Sequence, residues 1–259
     1  MTHLSGTRVV VIGGSRGFGR GMVEALAAAG ATVYALARHA GDLDQLKREV
    51  SGVQTSVADV SDPQLAARLL QELRPDILVL NAGAMPSMLP VPEQSWQQFS
   101  RNWDTDVRGT FEFGAEALRL PLKPGSVVMI VSSGAAIASS SPLVWSYGSA
   151  KRMQWFLANS FQEAANARGL GLRFAVLVPR LTDQTELGRA SLAVFAAREG
   201  ISEQAYLQRL HAGVPLTPEM VGQGVVSLLT DPAYQAGLAF GFSEQGRLKP
   251  LNIPAAAGR

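Results

Sequence analysis

The chain has 259 residues, of which 47% are hydrophobic and 17% charged, and this composition is too apolar for a disordered protein. Its 23 basic and 21 acidic residues leave a net charge of only +2, without the basic cluster that binds nucleic acid. Cysteine is absent, which excludes disulfides, zinc–thiolate sites, iron–sulfur clusters and cysteine nucleophiles. The three histidines are too far apart in sequence to suggest a metal site, so none is predicted.

The N-terminal residues Met1–Gly6 contain no apolar signal core. No apolar run in the sequence approaches the roughly 18 residues that a membrane span needs. We therefore expect a cytoplasmic protein with neither a membrane nor a nucleic acid as its partner.

The first predicted element is a strand at Arg8–Ile12, because an unbroken β-branched run is typical of a parallel strand covered on both faces. Helices and strands then alternate along the chain. They are predicted as helix Phe18–Ala29, strand Thr32–Leu36, helix Leu43–Val50, a strand ending near Val57, a helix from Asp62, strand Ile77–Leu80, helix Trp96–Leu118, strand Val127–Val131, helix Trp145–Arg168, strand Leu172–Val178 and a last strand near Gly237–Phe242.

This alternation predicts an α/β fold of the Rossmann type, in which a doubly wound parallel sheet lies between two helical layers. Residues 1–259 are expected to form a single domain. The segment Thr182–Pro215 is rich in helix formers and lies between the last two predicted strands. We interpret it as a substrate lid, because ligands of open α/β sheets bind outside the carboxyl ends of the strands.

A glycine-rich loop with glycines at positions 13, 17 and 19 separates the first strand from the first helix. Glycines at such a turn let the backbone approach a pyrophosphate at the positive N-terminus of the helix. An ordinary strand–helix turn is the alternative. The strand and helix predicted on either side favour dinucleotide binding.

The end of the second strand indicates which dinucleotide binds. NAD-binding proteins place an acid there for the ribose 2′-hydroxyl, whereas this chain has Arg38 and His39 and no carboxylate before Asp42. Because a guanidinium pairs with a phosphate, the sequence favours NADP(H). A solvated surface arginine is the alternative.

The pair Tyr147 and Lys151 is the main catalytic candidate. Residues four apart share one helical face, with Cβ atoms about 5–6 Å apart. A nearby ammonium lowers the pKa of a phenol from its ordinary value of about 10. A surface pair without function is the alternative, but the position of the two residues after the fifth strand and a serine-bearing loop favours catalysis.

The glycine spacing, the sequence Asn81-Ala82-Gly83 after the fourth strand and the Tyr147–Lys151 pair resemble the short-chain dehydrogenase/reductase family. The resemblance extends over nearly the whole chain, although Leu80 replaces the first Asn of the family's N-N-A-G motif. It implies a set of NADP(H)-binding residues: Gly13, Ser15, Arg16, Gly17, Phe18, Gly19, Arg38, His39, Asp59, Val60, Asn81, Ala82, Gly83, Tyr147, Lys151, Pro179 and Thr182, with Thr185 as the alternative to Thr182.

The resemblance also implies a catalytic set of Ser133, Tyr147 and Lys151. Ser133 stands one residue farther from Tyr147 than the family spacing, so we infer a one-residue insertion within Ala135–Pro142. Ser132 is the alternative.

Two positions depart from the family pattern. Asp106 is the fourth catalytic candidate and stands where the family has an Asn whose backbone carbonyl holds a water linked to the Lys. An Asp keeps that carbonyl, and its carboxylate could pair with Arg108 or Lys151. Arg180 follows Pro179 where the family has Gly, and it could bind an acidic substrate or point away from the site.

The resemblance implies an NADPH-dependent carbonyl reductase that transfers a hydride to a small ketone or aldehyde, or catalyses the reverse oxidation of an alcohol, without a metal. It also implies a homotetramer or homodimer built on the two long helices. Two alternatives remain open: an NADP(H)-binding sensor or scaffold without turnover, and an epimerase or dehydratase that uses the cofactor transiently.

Overall fold

The computed structural model describes residues 4–138 and 143–251. Within these ranges eight strands form one sheet: β1 (Arg8–Ile12), β2 (Thr32–Ala37), β3 (Gln54–Val57), β4 (Ile77–Leu80), β5 (Val127–Val131), β6 (Arg173–Val178), β7 (Ala239–Phe242) and β8 (Leu248–Pro250). Their order across the sheet is β3-β2-β1-β4-β5-β6-β7-β8. From β1, the strands β2 and β3 extend the sheet in one direction, and β4 and the later strands extend it in the other. Ligands of doubly wound folds bind at such a switch point, here between β1 and β4.

The helices of the described ranges are α1 (Gly17–Ala28), α2 (Ala40–Glu49), α3 (Leu65–Leu73), α4 (Trp96–Asn102), α5 (Arg108–Arg119), α6 (Trp145–Ala167), α7 (Glu186–Glu199), α8 (Glu203–Leu210) and α9 (Pro218–Thr230). A π-helical turn at Trp103–Val107 joins α4 to α5, so the long helix predicted at Trp96–Leu118 contains one wide turn. Such turns are frequent at functional sites. Among the helices described, none combines the length and apolar character that a membrane span requires.

The sheet separates two hydrophobic layers, because successive side chains of a strand point to opposite faces. Val9 and Val11 of β1 face a layer that includes buried residues of α1, α2 and α9. Val10 and Ile12 face a second layer that includes buried residues of α3, α5 and α6. The predicted α/β fold with three layers in one domain is therefore confirmed.

The sheet has one strand, β8, beyond the last strand predicted from the sequence. β1 to β7 are parallel, but β8 pairs with β7 in the antiparallel direction. The chain reverses in a tight turn in which the Ser243 amide donates to the carbonyl of Arg247. The helix α9 is a second element that the sequence analysis missed, and it packs against α1.

Candidate functional site

A cavity of about 940 Å³ is lined by residues that follow β1, β2, β4, β5 and β6 and by residues of α7. Most of the predicted site residues line it: Gly13, Ser15, Arg16, Gly17, Phe18, Arg38, His39, Val60, Asn81, Ala82, Gly83, Ser133, Tyr147, Lys151, Pro179 and Thr182. The predicted residues Gly19, Asp59 and Asp106 are not part of its lining. In residues 4–138 and 143–251, no three His, Asp or Glu side chains come together as metal ligands would.

The glycine loop packs tightly against the end of β4. Gly13 has a φ of +81°, and a Cβ there would lie 2.7 Å from the amide nitrogen of Ala82. A Cβ at Gly19 would overlap the carbonyl oxygen of Gly13, which also accepts a hydrogen bond from the Asn81 side chain at 2.8 Å. These contacts require glycine at both positions. Gly19 therefore serves the loop by close packing, outside the cavity lining.

The N-terminus of α1 faces the cavity and suits an anionic group. Ser15, Arg16 and Gly17 at this end line the cavity, and the first turn of α1 contains no acidic residue. Because the N-terminus of a helix carries a partial positive charge and free N–H groups, a pyrophosphate would be stabilised there. The residues present thus fit a dinucleotide cofactor.

The residues predicted at the ribose end have different environments. Arg38 and His39 line the cavity after β2. Arg16, which is also among the predicted NADP(H)-binding residues, forms an ion pair with Glu186 in the first turn of α7. Both side chains of this pair are more than half exposed.

Asp59, one of the predicted NADP(H)-binding residues, is exposed and has its own local partner. Its carboxylate accepts hydrogen bonds from the backbone amide and the hydroxyl of Ser61, at 2.9 and 2.8 Å. The bond from the Ser61 amide holds the pKa of Asp59 below its ordinary value. The cavity is lined instead by the neighbours of Asp59, Ala58 and Val60.

The two candidate threonines after β6 both line the cavity. The Thr182 hydroxyl is buried and accepts from the amide of Gln184, whereas the Thr185 hydroxyl caps α7 by accepting from the amide of Gly188. A Cβ on Gly17 would contact Thr185 at 3.5 Å, so the start of α7 lies against the glycine loop. The choice between the threonines stays open.

Tyr147 and Lys151 lie one turn apart on α6, with the Lys151 Nζ 5.5 Å from the centre of the Tyr147 ring. Ser133 follows β5 and is close enough for its hydroxyl to lower the pKa of the Tyr147 phenol. Burial nevertheless raises this pKa above its ordinary value, against the opposing effects of Lys151 and Ser133. In the chain without a ligand, burial thus has a larger effect on the pKa of Tyr147 than the lowering that was expected from Lys151.

The hydroxyl of Ser132 is bonded elsewhere. It is buried and donates to the carbonyl oxygen of Lys151 at 2.8 Å. The Ser133 hydroxyl accepts from the amide of Ala135 at 3.2 Å and lies beside the Tyr147 phenol. This arrangement favours Ser133 over Ser132 as the serine that contacts a substrate. The inferred insertion within 135–142 involves residues 139–142, which lie outside the described residues.

Asp106 forms a buried ion pair with Lys151, not with Arg108. Its Oδ2 lies 3.2 Å from the Lys151 Nζ, and the two side chains are 0% and 4% exposed. The Lys151 ammonium also donates to the carbonyl of Val131 at 3.1 Å. Burial is the largest effect and lowers the pKa of Lys151, but the Asp106 carboxylate and Tyr147 together outweigh it, so the pKa lies above its ordinary value.

The backbone carbonyl of Asp106 has two partners that the sequence analysis missed. It accepts a hydrogen bond from the Gln154 side chain at 2.9 Å and one from the Thr110 hydroxyl at 2.8 Å. Gln154 lies three residues after Lys151 on α6, and this helical spacing was the available signal. These bonds fix the π-helical turn that holds the Asp106 carboxylate against Lys151.

Comparison with known proteins identifies relatives of the chain. The profile of the family described as short chain dehydrogenase matches residues 7–193. L-xylulose reductase of Homo sapiens is 34% identical over 132 residues, which are 50% of this chain and 54% of that protein. Carbonyl reductase (NADPH) 2 of Sus scrofa is 30% identical over 161 residues, 61% of this chain and 65% of that protein. The matched region thus spans about half to two thirds of the length of these curated relatives.

A solved structure reported as the crystal structure of levodione reductase has the same fold. It superposes with a TM-score of 0.80 and covers 93% of this chain and 97% of that one. The two sequences are 21% identical, so this likeness concerns the fold alone.

Proposed function

Because this chain belongs to the short chain dehydrogenase family, we propose that it is an NADPH-dependent reductase of ketones or aldehydes that uses Ser133, Tyr147 and Lys151. The observation that carries the proposal is the convergence of these three side chains on the cavity that the glycine loop also lines. Two reductases among the relatives, one of them a carbonyl reductase, support the reaction class. The reverse oxidation of an alcohol uses the same residues.

Each of the three side chains has a role in this proposal. The Ser133 hydroxyl donates a hydrogen bond to the substrate carbonyl oxygen and polarises the C=O bond. NADPH, when bound, supplies the hydride that the carbonyl carbon accepts. The Tyr147 phenol donates its proton to the carbonyl oxygen as the C=O bond becomes C–OH. Lys151 stabilises the resulting phenolate and holds the ribose hydroxyls, and Asp106 keeps Lys151 charged.

The preference for NADP(H) rests on the charges at the end of β2. Arg38 and His39 line the cavity there, and a guanidinium suits a 2′-phosphate, which an acid at this position would repel. The name of the Sus scrofa relative, which includes NADPH, supports the same choice. We also propose that Arg16 leaves its ion pair with Glu186 and binds the 2′-phosphate when NADP(H) is present.

The proposal includes a lid at residues 182–215 and assembly into a homodimer or homotetramer. Leu187 and Phe195 of α7 line the cavity, as a lid requires. Phe111 of α5 and Phe156 of α6 are 49% and 64% exposed, which suits contacts between subunits on these helices. A cytoplasmic location stays a prediction from the sequence.

The test is oxidation of NADPH, followed by its absorbance, with a panel of ketones and aldehydes. Wild type should turn over, and Tyr147→Phe should lose about 100-fold or more in kcat because proton donation is lost. It should keep its affinity for NADPH. Tyr34→Phe is the matched control, since Tyr34 lies on β2 outside the cavity. Equal inactivity of wild type and Tyr147→Phe with intact NADPH binding would favour the sensor, and a changed product without net NADPH consumption would favour the epimerase or dehydratase.

A further inference from the structure

Arg180 lies beside the serine that the proposed reaction uses. It directly follows Pro179 at the end of β6, and the carbonyl of Pro179 accepts a hydrogen bond from the amide of Gly134 at 2.9 Å. A Cβ on Gly134 would lie 4.0 Å from the Arg180 Cα. The start of the Arg180 side chain is therefore next to Ser133–Gly134, and Arg180 lines the cavity.

The guanidinium of Arg180 is held in place but has no counterion in the part of the chain that the structure describes. Its Nη2 donates to the carbonyl of Val214 at 3.1 Å, in the segment between α8 and α9. Its Nε is buried and has no hydrogen-bond acceptor in residues 4–138 and 143–251. No carboxylate of these residues lies within 4.0 Å of it. A guanidinium that lines a cavity without a counterion would be stabilised by an anionic group bound in that cavity.

The carboxylates that line the same cavity are already paired with other arginines. Glu186 pairs with Arg16 and Glu199 pairs with Arg209, whereas Arg180 has no such partner in the described ranges. Leu181 also lines the cavity directly after Arg180. Arg38, Arg189 and Arg198 also line the cavity without a carboxylate within 4.0 Å in the described ranges. Arg180 differs from them because its backbone lies against Gly134, next to Ser133, with an apolar wall that begins at Leu181.

We propose that the substrate is an oxo acid, a ketone or aldehyde whose carboxylate binds Arg180 while its carbonyl oxygen faces Ser133 and Tyr147. This inference rests on the proposed function and names the substrate class of the same site. The carboxylate makes a charge-assisted hydrogen bond to the guanidinium, and the remaining carbon chain lies along the apolar wall.

The inference predicts a preference for acids over their uncharged esters. The probes are acetoacetate, 4-oxopentanoate and 5-oxohexanoate, each compared with its methyl ester in NADPH oxidation. These three acids vary the distance between carbonyl and carboxylate. Because hydrogen bonds to charged groups are strong, we expect kcat/KM for at least one acid to exceed that of its ester about tenfold or more. Equal values for acid and ester at all three lengths would overturn the inference.

The variant Arg180→Gln distinguishes substrate binding from a purely structural role, in which Arg180 holds the segment at Val214 through its hydrogen bond. Arg180→Gln should lower kcat/KM for the preferred acid about tenfold, mainly through KM, and leave that of the ester within about twofold. Equal losses of kcat/KM for acid and ester would indicate that the role of Arg180 is structural, and would refute the inference. Arg119→Gln removes an exposed arginine of α5 outside the cavity and should change neither value.

Failure of the proposed function has a different signature. If no carbonyl compound supports NADPH oxidation by wild type, the reductase proposal is refuted. Calorimetric titration of the three acids and their esters into the NADPH-bound chain then tests the substrate class separately. Tighter binding of an acid than of its ester in wild type, lost in Arg180→Gln, would support it. Equal binding of acid and ester, or no binding of any acid, would refute it.

Discussion

The buried ion pair of Asp106 and Lys151 allows a quantitative prediction for Asp106→Asn. At a separation of 3.2 Å, Coulomb's law with an effective dielectric constant of about 20 gives an attraction of about 5 kcal/mol. The amide of Asn still accepts the bond that the Asp106 carboxylate receives from Ala84, but it leaves Lys151 as a buried cation without a counterion. We therefore expect the free energy of unfolding to fall by about 3–5 kcal/mol near neutral pH.

The pH dependence of this loss has a definite sign. In wild type the pKa of Lys151 is raised, so wherever Asp106 is ionised the stabilisation is fully present below the unfolded-state value of about 10.4 and is lost as pH rises through the folded-state value. Burial raises the pKa of Asp106, so the stabilisation is also lost at acid pH, where Asp106 binds a proton. In Asp106→Asn, burial acts on Lys151 without the carboxylate and lowers its pKa. The unfolded variant then binds more protons, so its stability rises by up to about 1.4 kcal/mol per pH unit below about pH 10. The difference in the free energy of unfolding between wild type and Asp106→Asn should therefore become smaller as pH rises.

Urea unfolding followed by tryptophan fluorescence at about pH 7.5 and about pH 9.5 measures this difference. Lys151→Met and the double variant complete a cycle, in which we expect a coupling energy of about 2 kcal/mol or more. Glu112→Gln is the control, since it breaks a partly exposed ion pair with Arg108, whose atoms are 4.0 Å apart, and should cost less than about 1 kcal/mol. A difference that does not change with pH, or additive single variants, would refute the reasoning.

Three further predictions concern the cofactor end of the cavity. Arg38→Asp should weaken NADPH binding in fluorescence titration about 10- to 100-fold and spare NADH, whereas equal losses would contradict a phosphate contact. Glu186→Gln should strengthen NADPH binding a few-fold, about 1 kcal/mol or less, because it frees Arg16 from an exposed pair; an unchanged ratio of NADPH to NADH affinity would argue against that contact. Gly19→Ala should destabilise the protein by about 1–3 kcal/mol in thermal unfolding, because its Cβ would overlap the carbonyl of Gly13, and a variant of wild-type stability would contradict this packing.

Local patterns explain which elements the sequence could predict. Each of β1 and β4 to β6 is dominated by apolar residues and buried on both faces, which makes the run recognisable without tertiary information. β8 has only three residues, of which Lys249 and Pro250 are exposed, and it exists because a turn folds it back onto β7. α9 was missed although local signals were present: Thr217 caps it and Pro218 occupies its first position.

The same distinction applies to the candidate site. The glycine loop and the Tyr147–Lys151 pair have fixed short spacings, so their places at the cavity could be predicted. For Asp106 the sequence offered Arg108 and Lys151 as partners without deciding between them, because Arg108 is close in sequence whereas Lys151 reaches Asp106 only after α5 packs on α6. The ion pair of Arg16 likewise depends on how α7 meets the glycine loop, a contact between distant segments.

The central claim is hydride transfer at the cavity around Tyr147, and isotopic label transfer tests it most directly. NADPH carrying deuterium on either face of C4 is incubated with the chain and a carbonyl compound, and the product is analysed by mass spectrometry. We expect one deuterium on the carbinol carbon for each NADP⁺ formed, from one face only, with about a 100-fold slower reaction in Tyr147→Phe. Bound NADPH that transfers no label to any carbonyl compound, or label transfer at the same rate in Tyr147→Phe, would contradict it.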